Sequence, residues 1–327
     1  MLRYRMWFLV ATAIIEAFAC LPVSAETWRL EKGGDWQPLS ARSQDDRYLL
    51  AVAEVKKLVD AGQTDAAADA VVKLKNDFPE IAAEDFDAFI DAEMLLSKGE
   101  FVKAVRRYEK FLNDYPESEL RDAALEREFR IATAFLAGRK KKILGLFKIK
   151  GYAEGEKIMT WISRRAGLAS PLGIKAATAV AKSYESRRMF HEAHSRWLMI
   201  SARWPTGQIG KDALLGMARS KLALYNGSKF DTSNLITART YYLRYRRLLE
   251  DTGEADMVGE IDAILTDVDE QLASKQLSVG QYYERIGNRQ SAHFYYQMVA
   301  RDWPNCSAAK KAQELLSRNT AREKGEK

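Results

Sequence analysis

Ser278-Val-Gly-Gln-Tyr-Tyr-Glu-Arg-Ile-Gly287, continuing from Asn288 to Asp302-Trp303-Pro304, is the stretch on which the fold turns. Gly287 marks the end of one helix. A second helix follows, with Ala292, Tyr296 and Val299 spaced i, i+4, i+7 along one face. Trp303-Pro304 ends it, because proline cannot continue a helix and restricts the residue before it. The unit recurs upstream. Gly99 to Tyr115-Pro116 carries Ala104, Tyr108 and Phe111 at the matching positions, and Gly62 to Phe78-Pro79 carries Ala67, Val71 and Leu74. Arg188 to Trp204-Pro205 is a further copy, with Ala193, Trp197 and Ile200 and with Arg in place of the Gly. A worn copy runs through Ala238, Tyr242 and Tyr245, where Glu250 stands in the proline position.

A repeat of this length implies helical hairpins that stack. One hairpin carries an apolar stripe on both sides and cannot bury both alone, whereas stacked hairpins bury each stripe against the next. The expected architecture is an all-α superhelix of about six helical hairpins plus a C-terminal helix. The expected pairs are 45–60 with 64–77, 81–97 with 100–114, 120–137 with 152–166, 173–187 with 190–203, 209–224 with 234–250, and 256–286 with 289–302. Residues 306–318 form a closing helix. In domain terms, 44–318 is the solenoid, 26–43 an irregular lead-in, 139–150 an insertion, and 319–327 a charged tail expected to fray. The alanines at 67, 104, 193, 238 and 292 let the two helices of a hairpin approach closely, and the large residues four positions on fill the gap between neighbours.

The chain has 327 residues, 47% hydrophobic and 29% charged, which is ample for a folded core. Residues 1–25 read as an export signal: Arg3 and Arg5 form a basic start, and Met6 to Leu21 is almost wholly apolar. Small residues in Val23-Ser24-Ala25 suit cleavage before Glu26. A competing reading makes Ala17-Phe18-Ala19-Cys20 a loose lipoprotein box with Cys20 lipidated. The net charge of +6 permits an acidic partner or acidic lipid and does not demand nucleic acid. With Cys20 and Cys306 the only cysteines, no internal disulfide is expected.

The helix-turn-helix units resemble tetratricopeptide repeats. The closing stretch, with Ser278-Val279, Tyr282-Tyr283, Gly287, Ala292, Asp302 and Pro304, resembles the C-terminal repeat of the BamD (YfiO) outer-membrane assembly lipoproteins. Phe230-Asp231 leading into Ala238, Tyr242 and Tyr245 fits the preceding repeat of that family. The resemblance covers about 45–316. It implies a periplasmic scaffold at the outer membrane that helps fold and insert β-barrel proteins, contacting the barrel-forming BamA component and other lipoproteins. The sequence departs from that family in its poor lipobox and its longer middle, about 117–205. The alternative is a repeat adaptor of another envelope machine, for cell-wall synthesis or division.

Motifs for chemistry are absent or incomplete. His191 and His194 share a helix face but lack an HExxH pattern and a third ligand. Gly207-Gln-Ile-Gly210-Lys211 fails as a phosphate loop: Pro205 replaces its first glycine, and Asp212 stands where Ser or Thr would hold magnesium. There is no G-x-S-x-G elbow or dinucleotide fingerprint. Cys306 reads as a free thiol at the start of a helix rather than a nucleophile. The tyrosines and arginines of 239–247 fall on a packing face and a solvated face respectively, so nucleic acid is not expected. No enzyme activity, cofactor, metal or small-molecule substrate is expected.

Two surfaces stand out. In the insertion, Arg139-Lys-Lys-Lys142 precedes Ile143, Leu144, Leu146, Phe147 and Ile149, with Lys148 and Lys150 interleaved. Lys140, Lys141, Lys142, Phe147 and Lys148 are the candidates for contact with an anionic membrane surface. The alternative is a loop that tucks its apolar residues against the solenoid and leaves its lysines wet. In the closing repeat, Tyr282, Tyr296 and Trp303 are expected to pack the hairpin. Arg285 and Arg289, flanking Gly287, are expected to face solvent and to meet an acidic partner surface.

Overall fold

The computed structural model describes residues 28–30, 36–38, 44–143, 147–167, 169–227 and 230–325. The expected export signal, its expected cleavage site and Cys20 lie outside the described residues.

The fold is all-α and of tetratricopeptide type. Among the described residues, thirteen α-helices are joined by short turns, with two small antiparallel ribbons. The chain divides into two compact units, one ending at Ala124 and the other beginning at Leu125. The first unit holds the hairpins α1 (Gln44–Asp60) with α2 (Thr64–Asp77) and α3 (Glu84–Ser97) with α4 (Phe101–Asp114). The second holds α5 (Arg121–Leu136, its first turn lying across the boundary) with α6 (Tyr152–Arg165), and α7 (Pro171–Ser186) with α8 (Phe190–Arg203). It continues with α9 (Gly207–Ala223) and α10 (Ser233–Thr252), α11 (Ala255–Arg285) and α12 (Arg289–Asp302), and the closing α13 (Ser307–Gly325).

One turn geometry recurs in four of the hairpins. At the end of α11 the Asn288 N–H donates to the Tyr283 carbonyl at 2.9 Å, across Gly287 at φ +81°. This bond, with a left-handed residue inside it, satisfies carbonyls that the last helical turn leaves open. The same bond joins Gln63 to Leu58 (3.0 Å) and Glu100 to Leu95 (3.0 Å). At the fourth hairpin Met189 donates to Tyr184 at 2.9 Å, and the left-handed residue is Arg188, at φ +60°.

Burial follows the repeat. Ala67, Ala104, Ala193, Ala238 and Ala292 are fully buried, as are Tyr108, Trp197, Tyr242 and Tyr296 four residues on. Each such large side chain contributes about 1.5–3 kcal/mol by leaving water. Their polar ends must still be satisfied. A glutamate on the preceding helix does this in three hairpins. Glu93 accepts from the Tyr108 hydroxyl, Glu185 from Trp197 Nε1 at 2.9 Å, and Glu284 from the Tyr296 hydroxyl at 2.7 Å. The repeat therefore carries a buried aromatic and its acceptor as a pair.

Three segments differ from expectation. The lead-in is not wholly irregular: β1 (Trp28–Leu30) pairs antiparallel with β2 (Trp36–Pro38), with Trp28 opposite Pro38. Gly33-Gly34 between two short apolar runs is a hairpin signal, and it outweighs the lack of period. The insertion is also a ribbon, β3 (Lys140–Ile143) against β4 (Phe147–Lys150), not a loop. At the C-terminus α13 does not stop at 318 but runs to Gly325.

Candidate interaction surfaces

The closing hairpin carries the sequence-predicted site. Its inner face is settled by Ala273, Leu277, Ala292, Tyr296 and Val299 packing with Ala308, Ala309 and Ala312 of α13. Two ties hold α13 there. Glu270 on α11 accepts from the Ser307 backbone N–H (2.7 Å), the Ser307 hydroxyl (2.5 Å) and the Ala308 N–H (3.2 Å), which caps the α13 N-terminus. Burial alone would raise the Glu270 pKa; these hydrogen bonds outweigh it and hold the carboxyl below its ordinary value. Further along, Arg318 donates to Glu284 at 2.8 Å. Burial again pulls upward, and the bonds from Tyr296 and Arg318 prevail, so the Glu284 pKa is also lowered.

The opposite flank is open and aromatic. Tyr282 meets Tyr283 edge-on at 5.6 Å between ring centroids, Tyr283 stacks on Tyr295 at 5.5 Å, and Tyr295 meets Phe294 edge-on at 5.5 Å. The four rings form one continuous series. Its ends are exposed: Tyr282 by 51% and Phe294 by 61%, with Ile286 beside them at 57%. Tyr282 was expected to pack the hairpin, and it does not. Adjacent residues on a helix point about 100° apart, so only one of Tyr282 and Tyr283 can turn inward, and it is Tyr283. Tyr296 is fully buried and Trp303 packs against the same cluster. Arg285 and Arg289 are both exposed at the two sides of the Gly287 turn. The predicted arginines thus lie on the same hairpin as an aromatic series with exposed ends, which the sequence reading missed.

The basic insertion has its own geometry. The register pairs Lys140 with Lys150, Lys141 with Ile149, Lys142 with Lys148 and Ile143 with Phe147. Because strand residues alternate between faces, Lys140, Lys148 and Lys150 share one face of the ribbon. Lys141 and Ile149 share the other; the side chains of Lys142 and Phe147 lie outside the described residues. Lys141 is tied down, its ammonium 2.8 Å from Glu154 of α6. Lys140 and Lys148 are exposed, and Lys150 lies over the Tyr152 ring at 5.5 Å. Ile149 is exposed as well.

The remaining sequence candidates find structural places. His194 lies 3.4 Å from the Tyr241 hydroxyl, and its pKa is lowered by burial and then by Lys221 and His191. Among the described residues no group of three His, Cys, Asp or Glu could hold a metal ion. Cys306 is a buried free thiol whose pKa is raised, first by burial and then by Glu270 and Asp269. The arginines of α10 are not simply solvated: Arg239 reaches Asp269 and Arg246 reaches Asp262, each at 2.5 Å, on the next helix. Arg246 also meets Glu250 at 2.7 Å.

No family model matches this chain, and no curated protein matches it. Solved structures do. The C-terminal part of a TPR repeat-containing protein from Cytophaga hutchinsonii aligns over 84% of this chain and 88% of its own, with 14% identity and a TM-score of 0.38. PilW, described as a widely conserved type IV pilus biogenesis factor, aligns over 83% and 99%, with 14% identity and a TM-score of 0.29. A tetratricopeptide repeat protein from Parabacteroides merdae aligns over 83% and 97%, with 12% identity and a TM-score of 0.32. At these scores the likenesses do not bear on function.

Proposed function

We propose that this protein is a scaffold that holds envelope proteins together through its helical repeats, acting in the periplasm at the outer membrane. The observation that carries this reading is the aromatic series Tyr282, Tyr283, Tyr295 and Phe294, exposed at its two ends, on a hairpin that also exposes Ile286 and Arg285. A contiguous exposed apolar patch rimmed by charge marks a protein contact in a soluble surface, and aromatic and arginine side chains are the types enriched there. The resemblance of the closing repeat to BamD suggests the partner class: a BamA-like component of β-barrel assembly, with an acidic surface toward Arg285 and Arg289.

The test is capture of partners by the mature chain from envelope extract of its own cells, with identification by mass spectrometry. A barrel-assembly component should be recovered. Tyr282→Ser with Phe294→Ser should lose it while helicity is kept, and Arg285→Glu should weaken it. Recovery of the same component by the double variant would remove this surface. Recovery of cell-wall or division proteins instead would move the scaffold to another envelope machine.

A further inference from the structure

The second unit has a cavity of about 250 Å³ between α6, α7 and α8, away from the closing hairpin and the basic ribbon. Its floor is apolar: Met159, Val180 and Ile200 are buried. Its rim is basic, with Arg164 from α6 and Arg196 and Arg203 from α8. Arg196 is held by Glu156, which also accepts from the Tyr184 hydroxyl at 2.5 Å. Arg203 lies over the Trp204 ring at 5.8 Å. Arg164 and Arg203 are exposed and have no carboxylate at ion-pair distance among the described residues. No lining residue is acidic, so two of the three guanidinium charges stand unanswered at the mouth of an apolar hole.

We propose that this groove binds an acidic segment of a partner protein, one apolar side chain filling the cavity and a neighbouring Asp or Glu meeting Arg164 and Arg203. Charge and size together select this occupant. The guanidinium fork matches a carboxylate in two parallel hydrogen bonds. The volume is below the ~300–1,000 Å³ of small-molecule sites and suits a side chain or two. Met199, 63% exposed beside the mouth, extends the apolar contact outward and adapts to differing shapes. Inorganic phosphate would answer the charge and leave the floor empty. This inference rests on the scaffold reading but names a contact separate from the aromatic series of the closing hairpin.

The experiment is selection from a random peptide library on the full mature chain, followed by affinity measurement with the enriched peptides. Enriched sequences should place Asp or Glu next to Leu, Phe or Met. Arg164→Glu with Arg203→Glu should weaken their binding by about tenfold or more, and added salt should weaken it in the parent. Arg164→Gln with Arg203→Gln, a milder change, should lie between. Tyr282→Ser with Phe294→Ser should leave peptide binding unchanged, which separates this site from the closing hairpin. The proposal is overturned by several results: no enriched peptides, enrichment without acidic residues, or full binding by a folded double variant. Displacement by low concentrations of inorganic phosphate, or anionic phosphatidylglycerol vesicles binding through these arginines in preference to the peptides, also overturns it.

Discussion

Arg188→Gly should make the protein more stable, against the usual cost of putting glycine into a folded chain. Among the described residues Arg188 is the only non-glycine with positive φ, at +60°. It occupies the turn position that Gly62, Gly99 and Gly287 fill in three other hairpins, at φ +71°, +71° and +81°. A β-carbon in this backbone region costs roughly 1–2 kcal/mol. Glycine removes that strain but gives the unfolded chain more freedom, at about 0.5–1 kcal/mol. The Arg188 side chain is exposed and the only bonds shown for it are backbone, so little else changes. The net gain is about 0.5–1 kcal/mol. In a unit of this size that raises the melting temperature by about 1–4 °C. The assay is urea and thermal unfolding followed by far-ultraviolet circular dichroism, with Arg188→Ala as the control that keeps the β-carbon. Glycine should shift the midpoint upward while alanine leaves it within about 0.5 kcal/mol. Equal midpoints for glycine and alanine would refute the strain argument.

Two further perturbations test the packing. A β-carbon at Gly216 would lie 2.4 Å from the buried Trp197 ring, so Gly216→Ala should cost about 1–3 kcal/mol in unfolding experiments. At Gly259, within α11, a β-carbon would meet nothing within 4 Å, and Gly259→Ala should stabilise by up to about 1 kcal/mol. The Glu270 cap makes α13 acid-sensitive. Its folded pKa is depressed, so its stabilisation is present above the unfolded carboxyl value of about 4.3 and lost as pH falls through the folded pKa. Glu270→Gln should cost about 1 kcal/mol at neutral pH and flatten that acid loss, measured as hydrogen-exchange protection of α13.

The helices were legible because the punctuation is local. Glycine or its substitute at the turn, alanine five residues on and proline at the far end each act within one hairpin. The expected α8 and α12, 190–203 and 289–302, match the observed bounds. What depends on two elements meeting was not legible. Arg164 and Arg203 belong to different hairpins, and only the packing of α6 beside α8 brings them to one mouth. Arg239 and Arg246 looked solvated because their partners Asp269 and Asp262 lie on another helix. The acceptors escaped for a related reason: Glu185 and Glu284 stand at one spacing from their aromatics and Glu93 at another, so each is recognised only where its helix packs on the next.

The closing hairpin shows how a repeat separates stacking from docking. A terminal repeat exposes the face that its next neighbour would cover. The structure closes it. Ala308, Ala309 and Ala312 of α13 are small enough for near contact with α11 and α12, and the Glu270 and Glu284 ties fix the helix in place. Small residues at close approach make a permanent contact that leaves no room for a reversible one. The flank bearing Tyr282, Ile286 and Phe294 has the opposite character, with large side chains that stand out from the backbone. Tyr282 adds a polar tip to its apolar ring, which suits a surface that must be wet when free and dry when bound. The covered face at the end of the hairpin and the exposed residues on its side are therefore distinct surfaces, and only the second is open in this structure.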